Sequence, residues 1–463
     1  MDQDLRERFS SNDLDTVLGI ARELDAEGGQ VLLVGGCVRD AALDLAPKDL
    51  DLEVRGLEAD QLRTILARSH GLDEVGKSFG ILKLKNSPIE VSLPRTETKA
   101  GMGHKGFEVE VDPHLPFPEA SARRDFTINA MGLDPQSGEL LDPHGGRKDL
   151  EDKVLRHVGP AFVEDPLRVL RGMQFVARMQ LTAEPETIAL CSTIDLEELP
   201  SERIFEEWKK LILKGESISM GLRFLQSTTW LRFFPELESL VDCPQDPEWH
   251  PEGDVWIHTL HCMDAFSKLR VDDDWENLVV GLAVLCHDFG KPSTTVVASD
   301  GRIRSPKHEH EGAEITRSFL ARMTNHKDLL EQVIPLVRRH LAPRVFHNDQ
   351  AGDGAIRRLA KEVTRIDRLV RVATADMAGR PPKPAEFPEG NWLLERAEAL
   401  KVKDSAPAPI VQGRHLIERG LPAGPGFKPI LDKCFEAQLD GLFTDLPSGL
   451  AYLSQVLAKN DSN

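Results

Sequence analysis

Asp49 and Asp51 stand two apart in KDLDLEV, and strand alternation sets them on one face about 7 Å apart, with Leu50 and Leu52 packed on the other. Two such carboxylates can share Mg²⁺, a hard cation that takes oxygen ligands and substrate phosphates. Glu90 in IEVSL offers a third, while Ile89, Val91 and Leu93 face the opposite way. Three acidic groups on adjacent strands suit two-metal phosphoryl transfer, in which one ion activates an attacking hydroxyl and the other steadies a leaving pyrophosphate. An Asp-x-Asp on its own is usually a solvated strand edge, so its neighbourhood carries the argument. Gly35-Gly36, at a strand-to-helix turn, lets a phosphate approach backbone N–H groups, and Arg39 one turn into the helix can clamp it. A tight turn with a surface arginine is the plainer reading of that piece. ARRDFTINAM adds Arg123, Arg124, Asp125 and Asn129, a set suited to triphosphate and ribose, against the alternative of a helix N-terminus with a surface arginine pair. The glycine-rich signatures of Rossmann and P-loop nucleotide sites do not occur.

In EDPLRVLRGMQ, Asp165, Arg168 and Arg171 follow one another at spacings of three and so share one helix face. Cytosine and adenine each present an amino donor beside a ring-nitrogen acceptor, whereas guanine and uracil present the reverse order. A carboxylate accepting from the amino group and a guanidinium donating to the ring nitrogen would select C and A, making the protein itself the template. An intrahelical salt bridge is the competing reading.

A second set lies further along. WHPEGDVWIHTL, LAVLCHDFGKP, KHEHEGAE, RRHL and ATADMAGR supply His258, the pair His287-Asp288, His310, His340 and Asp376. Imidazoles and carboxylates at helix-separated positions can hold one or two divalent metals and activate a water for attack on a phosphoester. His287-Asp288 follows an apolar run and precedes Gly290-Lys291-Pro292, which puts it at a helix end beside water.

The elements that must position these residues are legible in the pattern. Leu14, Leu18, Ala21 and Leu24 predict a helix ending at Gly28-Gly29; QVLLV predicts a strand that turns into a helix; KDLDLEV and GILKLKN-SP-IEVSL predict three more strands. After residue 155 almost everything reads as helices joined by Pro/Gly turns, with linker-like segments at 242–254 and 379–390. The chain has 463 residues, enough for about three domains. Its 57 Lys+Arg against 76 Asp+Glu give a net charge of −19, which argues against indiscriminate polyanion binding, so any RNA must meet local basic strips. One strip is Arg357, Arg358, Lys361, Arg365, Arg368 and Arg371; another is the arginine face ending at Arg178. A solvated helix face is the alternative for the first. Six scattered cysteines read as reduced thiols, and the start lacks a secretory pattern. No apolar run approaches the ~18 residues of a membrane span, so a cytoplasmic protein without a membrane partner is expected.

In order, LVGGCVRD, KDLDLEV, EVSLPRTETKAG, RRDFTINAM, DPHGGRKDL and AFVEDPLRVLRGMQFVAR resemble the class II tRNA nucleotidyltransferase and bacterial poly(A) polymerase family, most closely CCA-adding enzymes that carry an HD domain. The resemblance implies Mg²⁺ at Asp49 and Asp51 with Glu90 as third carboxylate, nucleotide contacts at Gly36, Arg39, Arg124, Arg168 and Arg171, and base reading by Asp165 with Arg168. Asp125 and Asn129 join the expected nucleotide-binding set. The second set resembles the HD phosphohydrolase domain, whose His, His-Asp and distal Asp fall at His258, His287-Asp288 and Asp376; His308, His310 and His340 are optional extra ligands of an unidentified divalent metal. Relatives of that domain hydrolyse 2′,3′-cyclic phosphates, 2′-nucleotides and phosphomonoesters. Two departures stand out: Ala42-Leu43-Asp44 replaces the usual Leu-Leu-Gly, and His104 stands where relatives often have tyrosine, in a loop thought to govern the switch from C to A addition.

The expected fold class is α+β: an N-terminal helix (1–29), a mixed α/β nucleotidyltransferase head (30–154), an all-α neck and RNA-binding body (155–240), an all-α HD domain (250–378) and a helical tail (391–463) to which no function is assigned. The expected activity is template-independent addition of CCA, or part of it, to tRNA from CTP and ATP, with a metal-dependent phosphohydrolase in the HD domain. The alternatives are a bacterial poly(A) polymerase, whose relatives generally carry a strongly basic tail, an HD phosphohydrolase with a nucleotide-sensing head, and an RNA-binding scaffold.

Overall fold

The computed structural model describes residues 4–75, 81–99, 107–196, 199–383 and 386–460, and His104 lies outside them. The chain divides into two compact units, 1–233 and 234–463.

The first unit is built on strands β1 (Gln30–Val34), β2 (Leu50–Arg55), β3 (Leu72–Val75), β4 (Ile81–Leu84), β5 (Ile89–Ser92), β8 (Gly132–Leu133) and β9 (Leu140–Leu141), in the order β3-β4-β5-β2-β1-β8-β9. The β2–β5 pair is parallel and the other pairs are antiparallel. Strands β6 (Arg95–Lys99) and β7 (Phe107–Val111) form a separate antiparallel hairpin. The helix Ser11–Asp25 starts where the Ser10 hydroxyl accepts from the Asp13 N–H at 3.1 Å. It buries Val17, Ile20, Ala21 and Leu24 and packs on β1, so its inner face is centred near Val17 and Leu24, and the expected Leu14 and Leu18 lie to one side of it, half-buried. The four residues VLLV of β1 are buried, as a strand covered on both faces requires. Asn86 takes the left-handed backbone (φ 58°) that the Asn-Ser-Pro turn between β4 and β5 needs.

Gly36–Ala42 is helical, and after it Asp44 adopts φ 59°, the conformation for which glycine is the default. Aspartate is among the few side chains that tolerate it, and here it pairs with Arg8 at 2.7 Å, which accounts for the departure from Leu-Leu-Gly. The neck helix Leu167–Met179 buries Leu167, Val169, Leu170, Met173, Phe175 and Val176 and crosses the helix Ile218–Ser227. That crossing needs Gly221, because a Cβ there would come 2.5 Å from the Met173 carbonyl oxygen. Phe126 meets Phe162 and Phe175 edge-on, with centroids 5.3 and 5.9 Å away, locking RRDF against the neck.

In the second unit the helix Asp274–Cys286, buried on nearly every side, is surrounded by the helices Val255–Ser267, His308–Ala321, Lys327–Arg339 and Ile366–Ala378. Residues 410–460 supply helices that close a small core of their own around Leu416, Ile430, Cys434, Phe443 and Leu453. Residues 234–240, read above as part of the neck, pack in this unit, where Glu236 pairs with Arg322 at 2.5 Å. The two linker-like segments are structural as well: Asp254 caps the helix at Val255 by accepting from the Ile257 N–H at 2.8 Å, and Arg380 is buried against Asp376.

The first basic strip is engaged by partners within the chain, which supports its reading as something other than a free RNA surface. Arg357 donates to the Leu439 carbonyl, Arg358 pairs with Glu436 and Asp440, and Lys361 pairs with Glu436. Arg365 and Arg368 share Glu276, and Arg371 reaches the Leu269 carbonyl and Asn277. The first three lie on the helix Asp353–Val363 and the last three at the start of or along the helix Ile366–Ala378, and the two sets face different acidic neighbours, so they act as struts. All six described cysteines are buried free thiols.

Candidate functional site

Strand register brings the carboxylates of the head together. Leu50 and Leu52 are buried while Asp49 and Asp51 are exposed, and Asp51 on β2 is the direct partner of Glu90 on β5. Although its side chain reaches solvent, the protein packed around the Asp51 carboxyl partly desolvates it and pushes it above its usual range, Arg124 opposes this, and Glu90 and Asp49 add to it. A divalent cation bound there would relieve that repulsion, although the three carboxylates do not form a close ligand cluster like those of the second unit. Lys83 sits on Glu90 at 2.9 Å.

A cavity of about 520 Å³ opens beside Asp51, lined among others by Gly36, Arg39, Arg124, Asp125, Asn129, Asp165, Arg168 and Arg171. Asp49 and Glu90 are not among its lining residues. Gly35 has φ 76°, and a Cβ on it would come 2.5 Å from Arg124 Nη1, so glycine alone admits Arg124 to this turn. A hydrogen-bonded chain then crosses the wall. Arg39 Nη1 donates to Asn129 Oδ1 at 2.6 Å, Asn129 Nδ2 donates to Asp125 Oδ1 at 2.9 Å, and Arg171 Nε donates to Asp125 Oδ2 at 2.6 Å. Asp125 and Asn129, expected as direct nucleotide contacts, therefore use these groups to aim two arginines. The guanidinium groups of Arg39, Arg171 and Arg178 also surround the Phe175 ring, 5.1, 5.4 and 5.8 Å from its centroid.

Asp165 precedes the neck helix, and its Oδ1 accepts from the Leu167 N–H at 3.0 Å. Its Oδ2 pairs with Arg203 at 3.0 Å, while Arg168 donates to the carbonyls of Ala161 and Arg123, each at 2.7 Å. The intrahelical Asp165–Arg168 pair is thus replaced by separate anchors that leave both side chains in the cavity wall. Arg203, on the helix Ser201–Lys214, lines the same cavity and was missed, since nothing local in LPSERIFEEW marks it.

In the second unit, imidazoles converge through one nitrogen each. Nδ1 of His287, His308 and His340 donates to the carbonyl three residues earlier, at 2.7–2.8 Å, and Nδ1 of His258 faces Glu252 at 2.8 Å and the Gly379 carbonyl at 3.1 Å. Every Nε2 is thereby turned inward, the orientation metal-ligating histidines take. His258 Nε2 lies 3.1 Å from Asp376, and His287 Nε2 lies 3.2 Å from Asp288. Asp288 Oδ2 also lies 2.7 Å from Lys291 Nζ, yet neither it nor buried His287 Nε2 meets hydrogen-bond geometry with a described residue. His308 and His340 bring their Nε2 atoms to 3.3 Å, and burial lowers the pKa of both, that of His340 to about 3, so two lone pairs face each other. Against burial, Cys262, Asp376 and Glu252 hold the His258 pKa well above the usual imidazole range. Both features fit a cation at the centre of the cluster.

One expected ligand is corrected. His310 is exposed and nearest to Glu309, whereas His308 joins Asp288 and His340. Two residues along a helix rotate a side chain by about 200°, so only one of the pair can face the cluster. His287 and Asp288 are also more deeply set than expected, at 1% exposure each, although Asp288 lines a cavity of about 220 Å³ together with His250, Lys291, His308, His340 and Arg380. His250 and Glu252, missed inside the apparent linker, join His258 in a third group of potential ligands.

The sheet, the nucleotide-sized cavity and the imidazole cluster define a nucleotidyltransferase of the poly(A) polymerase type that carries an HD domain: the Poly A polymerase head domain model matches residues 31–156, and the HD domain model matches residues 255–372. Domains of both kinds generally use divalent metals, and the HD unit holds groups of residues able to bind them. The Multifunctional CCA protein of Stenotrophomonas maltophilia (strain K279a) is 38% identical over 388 residues, covering 80% of this chain and 91% of its own. That of Xanthomonas campestris pv. campestris (strain B100) is 36% identical over 395 residues, covering 81% and 93%. The chain belongs to the multifunctional CCA protein family, whose members are tRNA nucleotidyltransferases. Among solved structures, the Bacillus stearothermophilus CCA-adding enzyme in complex with CTP shares the fold at a TM-score of 0.64 and 21% identity, over 98% of this chain and 100% of that one. The Thermotoga maritima CCA-adding enzyme complexed with tRNA does so at 0.58 and 20%, over 98% and 97%. No described helix is long and apolar enough to cross a membrane.

Proposed function

We propose that this chain adds CCA to tRNA 3′ ends from CTP and ATP without a nucleic-acid template, and that its HD unit hydrolyses phosphoesters with a divalent metal. The observation that carries the reading is the single cavity in which Asp51, Arg124, Asp165, Arg168 and Arg171 meet, although they come from a strand, a turn and a helix far apart in sequence. Mg²⁺ held by Asp49 and Asp51, with Glu90 as third carboxylate, would supply activation of the RNA 3′ hydroxyl and charge relief for the departing pyrophosphate. Arg39, Arg124 and Arg171 give the triphosphate a cationic wall, and the Gly36 backbone lets it approach. Asp165 accepts from the exocyclic amino group of C or A, and Arg168 donates to the adjacent ring nitrogen. The relatives solved with CTP, ATP and tRNA support these partners. In the HD unit His258, His287 and Asp376 in one group, and Asp288, His308 and His340 in another beside it, offer the metal ligands, while Lys291 and Arg380 offer charge to the phosphoester. The expected place of action is the cytoplasm.

The test is incubation of the purified protein with tRNA ending at the discriminator base, Mg²⁺ and CTP, ATP or both, followed by sequencing of the 3′ ends. Ordered C-C-A is expected. Addition of CC alone or A alone would restrict the activity to part of the sequence, and a long A tract or no extension would overturn the reading.

A further inference from the structure

Cys262 follows His258 by four residues on the helix Val255–Ser267 and therefore shares its face. Its sulfur is fully buried, 3.3 Å from His258 Nε2. Gly379 makes the room, since a Cβ there would overlap that sulfur. Potential ligand atoms of His258, Cys262, His287 and Asp376 all lie within 4.8 Å of one another. Two edges of this group, 3.3 Å from sulfur to His258 Nε2 and 3.1 Å from His258 Nε2 to Asp376 Oδ1, approach those of a tetrahedron. A tetrahedral ion with metal–nitrogen and metal–sulfur distances of about 2.0 and 2.3 Å gives edges of about 3.3 to 3.5 Å. Independently of the thiol, His287 Nε2 is buried in the same group and makes no well-formed hydrogen bond, its polar neighbour Asp288 Oδ2 standing 3.2 Å away.

We infer that Cys262 is a metal ligand, so that His258, Cys262, His287 and Asp376 form a two-nitrogen, one-sulfur, one-oxygen site for a thiophilic divalent cation such as Zn²⁺ or Co²⁺. This inference rests on the reading of the HD cluster as a metal centre. A soft thiolate favours such ions over Mg²⁺, which prefers six oxygens in an octahedron. As the metal–sulfur bond forms, the thiol proton passes to solvent. Asp288, His308 and His340 form a separate group without sulfur.

The full-length protein, stripped with a chelator and titrated with Co²⁺ alone, tests this. Wild type should show the visible d–d bands of tetrahedral Co²⁺ and a near-ultraviolet thiolate-to-cobalt charge-transfer band. Cys262→Ser and the apolar Cys262→Val, which suits a buried position, should keep the d–d bands, lose the charge-transfer band and bind Co²⁺ at least about tenfold more weakly. A charge-transfer band that survives in both variants, or d–d bands without it in wild type, would overturn the ligand role while the metal centre stands. Absence of d–d bands in wild type would overturn the metal centre as well.

Discussion

Arg171 reaches from the neck helix to Asp125 at 2.6 Å, so the element that would read a base is tied to the motif that would hold a triphosphate. Burial favours the neutral Asp125, yet Arg171, Asn129 and the Phe126 N–H hold its carboxyl below the usual range. A carboxylate with a depressed folded pKa contributes stability above its unfolded value of about 3.9 and loses it as the pH falls through the lower folded value. Urea unfolding should therefore weaken more steeply with acid in wild type than in Asp125→Asn below about pH 4. At neutral pH Asp125→Ala should cost about 3 kcal/mol by leaving Arg171 unpaired. Equal acid slopes would show that this pair is not the source.

Loss of the strand carboxylates should abolish transfer to both nucleotides. Asp49→Ala and Asp51→Ala should each lower single-turnover incorporation of CMP and AMP by about 10³-fold, or about 4 kcal/mol of barrier. A variant that keeps a tenth of the wild-type rate would exclude that position from the metal-holding set.

Base choice is the property to follow at Asp165. Replacement by alanine should raise UTP and GTP incorporation relative to CTP by about tenfold or more, the worth of one bidentate contact. Because Asp165 also pairs with Arg203, Arg203→Ala is the control, and its discrimination should shift less. Unchanged selectivity in Asp165→Ala would refute the protein-template reading.

Arg368 separates a strut from an RNA contact. It is 5% exposed and bonded to Glu276 and Gln332, so Arg368→Ala should destabilise the protein by about 3 kcal/mol, as removal of one partner of a buried ion pair does. Affinity for tRNA should stay within about twofold once folding is matched, because no phosphate contact is lost. A large affinity loss in a stable variant would restore the strip as an RNA surface.

The two histidines of KHEHEG should behave oppositely. His308→Ala should weaken metal binding to the HD unit by about tenfold or more, and His310→Ala should leave it unchanged. Isothermal titration of the stripped protein with Mn²⁺ distinguishes them, and equal effects would contradict the inward turn of His308.

Local pattern was enough for the head strands, the helix after Gly36, the helical second half and the ordered motifs, because period-two and period-3.6 spacing and turn residues act over a few positions. It also carried the exposure of Asp49 and Asp51 opposite buried Leu50 and Leu52, which needs nothing beyond one short stretch of chain. Only the tertiary structure decided that Glu90 stands in register with Asp51, that Asp165 turns to Arg203 rather than Arg168, and that His308 and not His310 joins the cluster. It likewise turned the apparent linkers into walls of the HD site and the basic strip into struts. Each of these depends on which distant side chain occupies the space opposite, a matter of packing that spacing along one chain does not encode.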